Sequence, residues 1–158
     1  MSDGVFLARA TEAEVEALFA LASACHSHPW TPAQIAREMA AGPPGAVLVL
    51  RPVAGPVAVC ASCTYRVFAD EMEVLDVAVH PGWRRRGLGR FLVAHALGRG
   101  SRAGAAVARL EVRAGNQAAL SLYESLGFRR RGVRRAYYLQ PVEDAVLMEH
   151  ASFGRFGR

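Results

Sequence analysis

The sequence predicts an α/β fold of the mixed (α+β) kind: one central, mostly antiparallel sheet of about seven strands with helices on both faces. Three observations carry this. Period-two and period-3.6 apolar segments follow one another in the order β-α-α-β-β-β-α-β-α-β-β. Two helix starts, at Thr11 and Thr31, carry the same capping grammar. No repeat or low-complexity linker interrupts the 158 residues, a length that suits one domain with a real core. That domain is expected over residues 1–150, with a frayed tail at 151–158.

Taken in order, residues 4–9 read as a short strand. Thr11 and Glu14 form a capping box for a helix whose buried stripe is Val15, Leu18, Phe19 and Ala22. Thr31, with Pro32 at the first helical position and Gln34 as the boxed partner, starts a second helix to about Met39, closed by AAGPPG. Between them lies CHSHPW, residues 25–30. It either lines a substrate cleft with its imidazoles and Trp30, or is stapled to the core by Trp30 with its histidines in solvent. Strands follow near 46–51 and 57–67, around a turn at Pro52–Pro56, and then a longer one at Glu71–Val79. A helix is expected from Leu88 to about Leu97, with GRGSRAG looping back to a strand at Val107–Arg113. Asn116 caps a further helix and Gly127 suits a left-handed end. Strands at 128–139 and 144–149 finish the chain.

Composition narrows the functional classes. All nineteen basic residues are Arg and the net charge is +5, which favours anionic partners without choosing between nucleic acid and a phosphorylated ligand. The bias toward Arg, Ala and Gly resembles that of a GC-rich genome and weakens any argument from Arg abundance alone. Three cysteines, no signal peptide and no bilayer-length apolar run suggest the cytoplasm and no membrane partner. Cys60 and Cys63 spell C-x-x-C, but in a strand an odd separation sends side chains to opposite faces. With no second ligand pair, no metal is expected.

The stretch VAVHPGWRRRGLGR, residues 77–90, joins a strand end to an Arg-rich turn and a helix start. Gly87 and Gly89 remove Cβ atoms that would keep a ligand from the backbone. The first-turn N–H groups at Leu88 and beyond lack intrahelical partners and sit at the positive end of the helix dipole, so an anion is the natural occupant. Arg84, Arg85, Arg86 and Arg90 add guanidinium forks that match phosphate oxygens. The bland alternative is a basic turn capping a surface helix.

Further on, VARLEVR places Leu110 and Val112 on one face and Arg109, Glu111 and Arg113 on the other. Either Glu111 pairs with one of those arginines or it serves a site. Asn116 and Tyr123 lie seven apart, two turns, on one side of the next helix. Together they could complete that site.

Arg84, Gly87 and Gly89 meet the acetyl-CoA signature Arg/Gln-x-x-Gly-x-Gly/Ala, and the chain thereby resembles the GNAT acetyltransferase superfamily. The run LEVRAGNQAALSLYESLGF at 110–128, with RRAYY at 134–138, EDAVLM at 143–148 and HPWT at 28–31, is similar to bacterial ribosomal-protein-alanine N-acetyltransferases. The resemblance covers most of the chain and implies the acyl-CoA N-acyltransferase fold with acetyl-CoA as co-substrate. It implies that the backbone of Val77, Ala78 and Val79 pairs with the pantetheine arm, and that Arg85 to Arg90 hold the pyrophosphate. Asn116 would bind the cofactor through its side chain, Glu111 would accept a proton and Tyr123 donate one. Trp30, Tyr137 and Tyr138 fall on the acceptor side. Two departures stand out: His80 replaces an acidic residue usual before the Pro, and the loop after Tyr138 is shorter, which touches acceptor choice more than catalysis.

The implied partners are acetyl-CoA and the N-terminus of an acceptor protein, with a ribosomal protein as the implied class and a further protein partner left open. Three other functions compete with this one. A small-molecule amine or a protein Lys as acceptor keeps the fold, but few acids cluster outside Asp70–Asp76 to receive a polycation. A non-catalytic acetyl-CoA-binding module is opposed by the intact Glu111 and Tyr123. RNA binding through RRRGVRR, residues 129–135, lacks an aromatic stacking platform, so no stable nucleic-acid complex is expected.

Overall fold

The computed structural model describes residues 4–151. Seven strands form one sheet: β1 (Val5–Arg9), β2 (Ala46–Pro52), β3 (Ala61–Phe68), β4 (Glu71–Val79), β5 (Val107–Arg113), β6 (Arg129–Leu139) and β7 (Val142–His150). Their spatial order is β1-β2-β3-β4-β5-β7-β6. Neighbours are antiparallel except β4 and β5. Helices α1 (Val15–Cys25) and α2 (Pro32–Ala41) cover one face, packing on Val47, Val49 and Ala78. Helices α3 (Leu88–Arg102) and α4 (Gln117–Ser125) cover the other, packing on Leu48, Leu50, Cys63 and Leu110. No helix among the described residues is long and apolar enough to cross a membrane.

The burial of each strand explains its sequence. β2 begins AVLVL and is buried at all five positions, because helices lie on both sides. β5 alternates, with Ala108, Leu110 and Val112 buried and Arg109 and Glu111 exposed, because only α3 and α4 cover it. β6 is an edge strand and exposed along almost its whole length.

One break in the sheet matters most. β4 and β5 pair only from Glu71, Met72 and Glu73 to Val107, Ala108 and Arg109. Beyond that point β4 stays with β3 as far as Val79, and β5 stays with β7 as far as Arg113. The β3–β4 register shifts between Thr64 and Tyr65, whose partners are Asp76 and Val74, so Leu75 is left over as a bulge. The strands part there, and a V-shaped cleft opens between them.

Both capping boxes form. Thr31 Oγ1 accepts from the Gln34 N–H at 3.2 Å while Gln34 Oε1 accepts from the Thr31 N–H at 2.8 Å. At Thr11 the N–H donates to Glu14 Oε1 at 2.8 Å, but the first turn is 3-10 and the α-helix proper begins at Val15. Its buried stripe is Leu18, Leu21 and Ala22; Val15 and Phe19, expected inside, are only half-buried.

Two other expectations need correction. α3 does not stop near Leu97 but runs to Arg102, with Gly98 and Gly100 buried inside it. A Cβ at Gly100 would overlap Sδ of the fully buried Met72, so the glycine lets the helix lie against β4 rather than ending it. The strand expected from residue 57 begins only at Ala61. Cys60 therefore precedes the ladder, and both thiols sit in the same core cluster instead of on opposite faces. Burial raises both thiol pKa values above the usual range. The expected tail lies outside the described residues, apart from exposed Ala151.

Candidate active site

The Arg-rich turn follows β4 through a single 3-10 turn, Pro81–Trp83, in which the Gly82 N–H donates to His80 Nδ1 at 3.0 Å. Arg85 and Gly87 both take left-handed backbone, with φ of 64° and 75°. Gly87 caps α3, and a Cβ placed there would meet nothing within 4 Å, so its backbone is open to a ligand. At Gly89 a Cβ would lie 3.4 Å from Val79 Cγ2 and 3.5 Å from Leu122 Cδ2, ordinary contact distances where α3 passes β4 and α4. The Leu88 side chain is buried in the core, which leaves only its backbone for an anion.

The arginines divide by task. Arg86 stacks on Trp83 at 4.5 Å. Arg84 Nε donates to the Val79 carbonyl at 3.2 Å, and Arg90 Nη2 to the Ser125 carbonyl at 3.4 Å. All four lie exposed beside the first-turn N–H groups of a fifteen-residue helix.

In the opening between β4 and β5 is a cavity of about 430 Å³. Trp30, Val77, Glu111, Asn116, Tyr123 and Tyr138 all line it, so six of the expected site residues meet here. Val77, Ala78 and Val79 pair with β3 on one side only, since β5 has already left. The Ala78 side chain is buried on the α1–α2 side, and the Val79 carbonyl also accepts from Cys25 Sγ at 3.2 Å. Asn116 Oδ1 caps α4 by accepting from the Ala119 N–H at 3.1 Å, which leaves its NH2 end to a ligand. Tyr123 is 8% exposed and stands edge-on to Phe128 at 5.7 Å. Burial raises the pKa of its hydroxyl well above the usual phenol range, so the group stays protonated and able to donate.

A second cavity, about 660 Å³, lies over the uncovered face of the β5–β7–β6 arm, with Glu73, Arg109, Arg134 and Tyr137 in its walls. The two cavities share Trp30, Val74, Leu75, Leu110, Glu111 and Tyr138. Glu111 thus stands where they join. Its partner is neither of the arginines on its own strand but Arg134 of β6, with Nη1 to Oε1 at 3.2 Å. Arg109 is held by Glu71 and Glu149, and Arg113 by Glu143.

The aromatic wall is tied down from behind. Tyr137 and Tyr138 meet edge-on at 5.2 Å, and the Arg113 guanidinium lies 4.0 Å over the Tyr138 ring. Glu143, which holds Arg113, also accepts from the Gly115 N–H at 2.6 Å, next to the Asn116 cap. The β6–β7 register breaks between Arg134 and Tyr138, where Ala136 has φ of 51° and donates its N–H to Asp144 Oδ1 at 2.8 Å. This bulge turns both tyrosines toward the second cavity.

Sequence reasoning did not single out Asp76 as part of the cleft. His26 Nε2 lies 3.1 Å from Asp76 Oδ1, an ion-pair distance without hydrogen-bond alignment, and the carboxylate raises the pKa of the imidazole. The pair fastens the loop after α1 across β4. Its one sequence signal is an Asp inside the apolar run VLDVAV. Residues 84–90 line neither cavity; all but Leu88 and Gly89 are exposed. Among the described residues no group of three or more His, Cys, Asp or Glu is placed to hold a metal ion.

The profile of the acetyltransferase (GNAT) family matches residues 15–128. Over 85 residues the chain is 46% identical to a ribosomal protein bS18-alanine N-acetyltransferase of Salmonella typhimurium; the match covers 52% of this chain and 57% of that protein. The chain thus spans little more than half the length of that relative. A protein of Bacillus subtilis named as a putative ribosomal protein bS18-alanine N-acetyltransferase is 27% identical over 138 residues, covering 85% of this chain and 87% of its own. Among solved structures, the ribosomal-protein-S18-alanine N-acetyltransferase of Escherichia coli superposes with a TM-score of 0.82 at 31% identity, over 94% of each chain. Ard1 of Thermoplasma volcanium superposes with a TM-score of 0.85 at 23% identity, over 94% of this chain and 98% of its own, a likeness of fold.

Proposed function

The chain belongs to the acetyltransferase (GNAT) family, and from that premise we propose that it acetylates the N-terminal α-amino group of a protein beginning with alanine. Acetyl-CoA is the donor and a cytoplasmic ribosomal protein the acceptor. The observation that carries this reading is the junction of two cavities at a single carboxylate, Glu111. One cavity lies against the free edge of β4, the strand that leads into the Arg-rich turn, and suits the donor. The other lies over the open sheet face and suits an extended peptide entering with its amino end first.

The roles follow from placement. Backbone groups of Val77 to Val79 on the unpaired edge of β4 hold the pantetheine amides. Gly87, the N–H groups of Leu88, Gly89 and Arg90, and the forks of Arg84, Arg85, Arg86 and Arg90 hold the pyrophosphate. The NH2 of Asn116 binds along the arm. An α-amino group has a reference pKa of about 8, so a mild base is enough to free its lone pair at neutral pH. Glu111 takes that proton, directly or through one water, as the nitrogen attacks the thioester carbonyl. The C–N bond forms, the C–S bond breaks, and the protonated Tyr123 hydroxyl passes its proton to the departing thiolate. Trp30, Tyr137 and Tyr138 flank the first residues of the acceptor.

Most acids of the second cavity are already paired with Arg109, Arg131 or Arg134, which is poor ground for a polyamine. The test is CoA release with a peptide that begins with a free Ala, the same peptide N-terminally blocked and carrying an internal Lys, and a polyamine. Turnover with the free Ala end alone is expected. Turnover with only the Lys peptide or the polyamine would overturn the acceptor assignment.

A further inference from the structure

We propose that Arg134 stands in for the acceptor's ammonium. In the free protein its guanidinium occupies Glu111, and the incoming N-terminus displaces it. The proposal rests on the reading above that Glu111 receives the acceptor amine.

Four observations carry it. Arg134 Nη1 lies 3.2 Å from Glu111 Oε1, on the acceptor side of the junction. The other arginines on this face are held by different carboxylates: Arg109 by Glu71 and Glu149, Arg113 by Glu143, and Arg131 by Glu149. Arg134 is thus the cation assigned to Glu111 among the described residues. The contact is single rather than bidentate, and the Arg134 side chain is 54% exposed on an edge strand, so little holds it in place. Finally, the Tyr137 ring lies 5.4 Å from the guanidinium carbon, a ready resting place once the carboxylate is surrendered.

The chemistry of the acceptor requires such an exchange. Near neutral pH most of an α-amino group arrives as an ammonium. A carboxylate exposed between two cavities would draw in any cation, and a second cation beside Arg134 would be repelled. Arg134 neutralises Glu111 while no acceptor is bound and gives way only to a cation that can reach past the tyrosines. Its role is positioning and selection: it acts through Glu111 and has left the carboxylate before the proton moves.

The test is the peptide KM of the full chain at saturating acetyl-CoA, with Arg134→Gln and Arg134→Lys. An exposed ion pair of this kind is worth about a two- to fivefold change in an equilibrium. Arg134→Gln should therefore lower the KM for the free-Ala peptide about two- to fivefold, while Arg134→Lys, which keeps a cation within reach, should stay within about twofold of the parent. In a Glu111→Gln background, peptide titration in the presence of CoA should show no tightening from Arg134→Gln. An unchanged or raised KM in Arg134→Gln would overturn the proposal, because Arg134 would then be inert or an acceptor ligand. Loss of transfer to the Ala peptide by the unaltered chain would instead strike the functional reading beneath it.

Discussion

Strands β2 and β3 lie between two helical layers, whereas β5, β7 and β6 have helices on one face only. In the first arm the first five positions of each strand are buried and none of them carries a charge. In the second, β5 alternates and β6 is exposed along almost its whole length, and the open face carries Arg109, Glu111, Arg131, Arg134, Tyr137 and Glu149. Both arms belong to one sheet and share one core, so the difference is coverage rather than stability of the ladder. A strand covered twice has no room for chemistry, because each buried charge would need a partner and pays a desolvation penalty. A strand covered once keeps a rigid backbone and a wet face, and the ionisable groups gather there. The cleft opens at the seam between the two arms.

This contrast can be broken or sharpened by substitution. The largest effect is expected at the seam. Glu111→Gln should lower kcat by about two to four powers of ten, the range for loss of a general base, with the thermal midpoint close to the parent's because the side chain stands on the wet face. Tyr123→Phe should lower kcat as well. Unchanged turnover in both at saturating substrates would remove them from the chemistry. Next comes the doubly covered arm. Leu48 is 1% exposed, and Leu48→Ala should cost about 2–5 kcal/mol in urea unfolding. Val133 on β6 is 57% exposed, and Val133→Ala should stay within about 0.5 kcal/mol. Equal losses at the two sites would dissolve the distinction.

A smaller effect is expected at the turn. Gly87 has space for a side chain but φ of 75°, so Gly87→Val should cost about 1–3 kcal/mol of backbone strain and weaken acetyl-CoA binding in calorimetric titration. Normal affinity would show that this turn does not hold the phosphates. The smallest concerns His26, whose pKa Asp76 raises in the folded chain. A raised folded pKa stabilises fully below the unfolded value, about 6.5, and the gain is lost as pH climbs through the folded one. The gap in thermal midpoint between the parent and His26→Gln should therefore be wider near pH 5.5 than near pH 8.5. A gap that ignores pH would mean that the ion pair contributes nothing.

Much of the fold was legible because its signals are local. The boxes Thr11–Glu14 and Thr31–Gln34 close over three residues, and both form. The strand Val107–Arg113 and the Asn116 cap fall where alternation and side-chain chemistry put them. Gly98 and Gly100 misled because a glycine inside a helix reads locally as a terminator; only β4, packed alongside, gives it a purpose. Cys60 and Cys63 misled because strand parity holds only inside the ladder, and the ladder starts one residue after Cys60.

Local sequence set the order of elements, the Arg-rich turn at 84–90 and the placing of Glu111, Asn116 and Tyr123 around one strand–helix step. These depend on neighbours a few residues apart, whose spacing is the helical or strand period. Tertiary structure alone decided that β4 and β5 part after Glu73, that Glu111 answers to Arg134 rather than to Arg109 or Arg113, and that Asp76 reaches His26. Each of these joins residues on separate elements. Their partners are chosen by which faces the helices cover and by where a bulge lets the sheet split, and no local period records that choice.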